Sequence, residues 1–170
     1  MHESLKFNLK PLSPEGIPAA LEKAVRYRLL NEPGEAESIC RDVLAVEPDN
    51  QQALVILLLA LTDRFGEGHA IAVAHAEEVL GQLRSEYESN YYAGLICERR
   101  AKAHLHLSVP GAGHDAYEWL REAMLCYEKA EIIRPEGNDD ALLRWNACAR
   151  IIMQRTLGPR PDDKPEPALE

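Results

Sequence analysis

Apolar residues recur at helical spacing along most of the chain. Between residues 17 and 31, Leu21, Ala24, Val25 and Leu29 fit one helix face, and Asn31-Glu32-Pro33-Gly34 interrupts the pattern. The second helix sets Ile39, Cys40, Val43 and Leu44 on one side and Glu35, Glu37, Arg41 and Asp42 on the other. Pro48-Asp49-Asn50 ends it, with Asn50 placed to cap a third helix over about 51–65. That third helix carries the unbroken apolar run Ala53–Leu61 and needs cover on several sides. Gly66-Glu67-Gly68 leads into a fourth helix, about 69–84, striped by Ala70, Val73, Ala76, Val79, Leu80 and Leu83. A fifth, about 87–107, is closed by the segment Val109 to Gly113. A sixth, about 115–133, stops at Pro135-Glu136-Gly137, and a seventh spans about 139–156. No stretch alternates for long enough to make a sheet. The pattern predicts an all-α protein.

The two ends read differently. Residues 1–16, punctuated by Pro11, Pro14 and Gly16, form an arm in which Leu5, Phe7 and Leu9 alternate with polar residues. Such spacing suits an extended segment with one apolar edge. Residues 157–170 hold Pro159, Pro161, Pro165 and Pro167 among charges, and are expected to be a disordered tail. The helical domain is thus expected over 17–156.

Two strings that close one helix and open the next are alike: Val43 to Leu54, with Pro48, and Ala130 to Leu142, with Pro135. In each, a proline stops a helix, a polar cluster caps the next, and Ala-Leu opens it. Ala36 and Ala70 stand 34 residues apart. Together with Ala24, Tyr27, the Pro33-Gly34 turn and Pro48, these features resemble the tetratricopeptide repeat family. The likeness is closest over 17–50 and loosens toward residue 156. Lys23 replaces a customary leucine, and no tryptophan opens the first helix. The resemblance implies a right-handed α-solenoid of about three helix pairs with a C-terminal capping helix. It also implies a concave face that receives a peptide or a partner helix. Carried over residue by residue, that face comprises Leu21, Val25, Arg28 and Leu29, then Val55, Leu59, Thr62 and Asp63. Tyr91 and Arg99 on the fifth helix share one face and extend the candidate set. Its mainly aliphatic lining suits an apolar helix or extended segment rather than a terminal carboxylate.

Composition narrows the partner. The chain is 46% hydrophobic and 28% charged, within the globular range. Its net charge of -9 offers no basic stripe, so nucleic acid is a poor partner. No apolar run reaches a bilayer span and the opening residues hold no targeting signal, which predicts no membrane association and a cytoplasmic location. Cys40, Cys97, Cys126 and Cys148 form no C-x-x-C pair, and His69/His75 and His104/His106 lack helix-face spacing, so neither metal nor cofactor is expected. No catalytic constellation stands out. The sequence therefore predicts a non-enzymatic adaptor or scaffold. The alternatives are a chaperone for secreted proteins, or a small-molecule-binding or enzymatic bundle using Tyr91, Arg99 and His104. Leu21, Val25, Leu29, Val55 and Leu59 together form an apolar surface too large to leave in water. The arm is expected to lie on it as a displaceable lid, or a second subunit to cover it in a homodimer.

Overall fold

Helix boundaries in the computed structural model, which describes residues 5–67, 70–107 and 109–161, follow the local chemistry of caps and turns. The α-helices are α1 (Ile17–Leu29), α2 (Pro33–Val46), α3 (Gln51–Thr62), α4 (Ala70–Leu80), α5 (Glu86–Leu105), α6 (Ala112–Ile132) and α7 (Asp140–Gln154). Among the described residues there is no strand, so the all-α class holds. Asn31 takes the left-handed conformation at φ 60°, and the Glu32 and Asn31 amides donate to the carbonyls of Tyr27 and Arg28, which closes α1. Asn50 caps α3, its Oδ1 accepting from the Ala53 amide at 2.9 Å. Ser85 caps α5 through its hydroxyl, which accepts from the Glu88 amide at 3.2 Å. Gly111, at φ 82°, turns the chain after α5, and α6 begins at Ala112, three residues before the start near 115 that the sequence suggests.

The chain divides into two compact units, Met1–Ala60 and Leu61–Glu170, with the division inside α3. In the first unit α1 packs on α2. Ala24 and Ala36 are wholly buried there, as are Cys40 and Val43. Small residues at the contact let the helix axes approach closely. The apolar run of α3 is largely buried, Leu54 and Leu58 completely so, as its all-round hydrophobicity requires. Burial of each such leucine is worth about 1.5–3 kcal/mol.

The arm does not act as a lid. Leu5, Phe7 and Leu9 are each more than four-fifths exposed. A 3-10 turn over Pro14–Gly16, with the Gly16 amide donating to the Ser13 carbonyl at 2.9 Å, brings Leu12 against a cleft lined by Ala19, Ala20 and Ile39. Residues 5–10 stay exposed.

In the second unit α6 packs against α5 on one side and α7 on the other. Its core gathers Ala101, Ala116, Leu120, Ala123, Met124, Tyr127, Ala130, Ala141 and Cys148. The start of the expected tail belongs to this unit. Thr156 at φ 50° reverses the chain, and the Leu157 amide donates to the Ile152 carbonyl at 3.0 Å. Leu157 packs on the core, the Gly158 carbonyl meets His114 Nδ1 at 2.9 Å, and Arg160 pairs with Asp115. The pairing of α6 with α7 brings residues 44 and 45 positions apart together, which composition cannot reveal. Residues 162–170 of the expected tail lie outside the described residues.

Candidate functional site

Two places in the molecule hold unusual chemistry, one in each unit. In the second unit, the row Gly94, Glu98, Ala101 on α5 faces inward. Its small members admit the Tyr127 ring and leave Glu98 wholly buried. The Tyr127 hydroxyl donates to Glu98 Oε2 at 2.6 Å. Lys102 Nζ donates to Oε1 at 2.6 Å, and an Arg144 amino group to the same oxygen at 3.3 Å. Burial pushes the Glu98 carboxyl upward, but the hydrogen bonds from Lys102 and Tyr127 and the charges of Lys102 and Arg144 outweigh it. The net shift is downward, so Glu98 is ionised. Burial, the Glu98 charge and the hydrogen bond to it all push Tyr127 upward, so it remains a neutral donor. The carboxylate is therefore satisfied by three partners, as a buried charge must be.

Around this cluster the tyrosines stack. Tyr91 lies parallel to Tyr87 at 5.9 Å, edge-on to Tyr92 at 5.1 Å and tilted to Tyr127 at 5.7 Å. Burial, with Glu88 nearby, pushes Tyr92 up to about 12. These rings contribute packing with preferred aromatic geometry. Arg99 pairs with Asp63 at 3.5 Å, so two of the candidate residues meet each other. Arg100 lies over the Trp119 ring at 3.7 Å and also pairs with Glu77. His104 lines a cleft of about 180 Å³ with Phe65, Val73, Arg100 and Leu107, rather than one with Tyr91 and Arg99.

The first unit carries its unusual residues on the outside. On α1, Leu29 is 80% exposed and Leu30, just past its end, 63%; Val25, one turn earlier, is also exposed. Arg28 is half-buried, as are Val55 and Leu59 on α3, whereas Leu21 is a core residue. A partner on this unit would touch Val25 and Leu29 directly and Leu21 not at all. Thr62, which falls in the second unit, is likewise buried. Thus the ten candidate positions divide into three roles: exposed apolar surface, half-buried flank, and core.

Glu98 is the residue that sequence reasoning passed over. It stands among the charges of Glu98-Arg99-Arg100, where nothing in residue type marks it as buried. The available signal was its spacing, four residues after Gly94 and three before Ala101, both small and inward. Among the described residues no group of three or more potential ligands could hold a metal ion, and no helix is long and apolar enough to cross a membrane. Comparison with models of protein families, with curated proteins and with solved structures finds no match to this chain.

Proposed function

We propose that the chain is a protein-interaction module, and that its partner-binding surface is the outer face of α1 with the extended arm. The reading rests on one observation: Leu5, Phe7, Leu9, Leu29 and Leu30 all lie exposed in the first unit. Apolar side chains held outside by an ordered helix lose little on binding and gain the area they bury. The tetratricopeptide likeness, with its solenoid of helix pairs, supports the same reading because such arrays present first helices to ligands. The arm and α1 expose Lys6, Lys10, Lys23 and Arg26 against Glu15 and Glu22, a net positive balance. The favoured occupant is thus an apolar helix or extended segment flanked by acidic side chains. A second copy is a weaker occupant, since its arm would bring Lys6 and Lys10 toward Lys23 and Arg26. An apolar segment of a protein awaiting secretion fits the same surface, which is the chaperone form of this reading.

The test is quantitative capture from native lysate by the immobilised chain and by its Leu29→Asp/Leu30→Asp variant. A partner seated on this face should bind the variant at least about tenfold more weakly, the loss of one strong anchor. Equal capture of the same proteins by both would remove the reading.

A further inference from the structure

A cleft in the second unit forms where three elements meet. The 3-10 turn Phe65–Glu67, α4 and α5 contact one another. Arg100, Ala103 and His104 on α5, with Leu107 just past its end, follow one helical stripe, and all four line the cleft. Phe65 and Gly66 from the turn, with Ala70 and Val73 from α4, complete the lining. The small residues Gly66, Ala70 and Ala103 leave an opening of about 180 Å³ among these elements. An apolar cavity of roughly 150 Å³ takes one benzene ring. Phe65 is buried and gives the cleft an aromatic wall.

Arg100 gives this apolar lining its charge. Its guanidinium carbon lies 3.7 Å from the centroid of the Trp119 ring, a stack that fixes the plane of the fork. One nitrogen, Nη1, meets Glu77 Oε1 at 3.4 Å, and Glu77 is its only acceptor among the described residues. A guanidinium carries several N–H donors, so most of this fork is unused. Carboxylates take such a fork through two parallel hydrogen bonds. His104, one turn further along the same stripe, adds an imidazole to the lining.

We propose that this cleft binds small aromatic monocarboxylates, with the ring against Phe65, Val73 and Leu107 and the carboxylate on Arg100. The opening suits a single ring with a short acid arm. The apolar wall favours such a ligand over a simple anion, and the charge of Arg100 favours it over a neutral isostere. Glu77 becomes a competitor in this scheme. Its side chain is more than half exposed, so its long contact with Arg100 is weak and the ligand carboxylate displaces it. The site stands apart from the partner surface on α1 and does not depend on it.

The experiment titrates the full chain with phenylacetate and follows the methyl NMR signals of Val73, Ala103 and Leu107. These should move saturably, while phenylacetamide and acetate should each bind at least about tenfold more weakly. Arg100→Gln should weaken phenylacetate by at least about tenfold and leave phenylacetamide unchanged. Glu77→Gln should tighten phenylacetate by about two- to fivefold, because it removes the competitor. Ala103→Leu, which keeps a good helix former in place, should fill the cleft and abolish binding of both ring compounds. Phenylacetate no tighter than either comparison ligand, shifts confined to other parts of the chain, or no saturable binding would overturn the proposal. The wild-type titrations decide this even if Arg100→Gln, which also loses the Trp119 stack, does not fold.

Discussion

The first unit turns large apolar side chains outward on α1 and the arm, as the second does at Ile132 and Leu143, but the second also draws a carboxylate inward between α5, α6 and α7. Each arrangement inverts the usual distribution, and the two carry different costs. An exposed leucine costs the fold little, because it was as exposed in the unfolded chain. A buried carboxylate costs a great deal unless its partners stay in place, and Glu98 keeps three. The same kind of edit should therefore have opposite consequences in the two units. In the second it should alter stability, and in the first it should alter binding.

The largest effect belongs to Glu98→Ala. It leaves the buried Tyr127 hydroxyl without its acceptor and separates Lys102 and Arg144 from their shared anion. A loss of about 3 kcal/mol is expected in urea unfolding, with both cations partly rescued by water. Gly94→Ala comes next, because its new methyl would meet a Tyr127 ring that the hydrogen bond to Glu98 holds in place. Overpacking of about 1–3 kcal/mol should exceed the gain in helix propensity of about 1 kcal/mol, lowering the denaturant midpoint.

Truncation after Thr156 removes the Leu157 contact, the Gly158 carbonyl at His114 and the Arg160–Asp115 pair. It should cost about 1–2 kcal/mol in thermal unfolding, where a disordered tail would cost nothing. Acid offers a finer probe of the same unit. The Glu98 carboxyl is shifted down on folding, so its contribution is complete above the ordinary carboxylate value of about 4.3 and disappears as pH falls through the folded value. The stability difference between the wild-type chain and Glu98→Gln should be steady near neutral pH and shrink below about pH 4. A difference that widens on acidification would contradict the charge assignment. The smallest effect on stability belongs to Leu29→Asp, expected within about 0.5 kcal/mol of wild type by either unfolding method.

These contrasts also show where sequence reading stops. The seven α-helices of the described residues were legible, because periodicity, Pro33, Pro48, Asn50 and Pro135 are local signals. The division inside α3 was not, because one continuous apolar helix crosses it. Val25 and Leu29 were legible as a surface stripe, yet Leu21 on the same stripe faces the core, since only packing decides which edge of an apolar face is covered. Glu98 and its partners come from three helices, and nothing in the spacing of 98, 127 and 144 announces their meeting. The start of the tail was misread for a related reason: its partners His114 and Asp115 lie at the far end of another helix.

Site-directed photo-crosslinking in native lysate tests the interaction surface most directly. A photoreactive side chain is placed at Leu29 in the first unit and, separately, at Leu143 in the second; Leu143 is also exposed and apolar. Position 29 should give a discrete, saturable adduct with another protein, lost when residues 2–12 are deleted, and position 143 should give none. Saturable adducts at 143 alone, or at neither position, would contradict the assignment of the first unit as the binding surface.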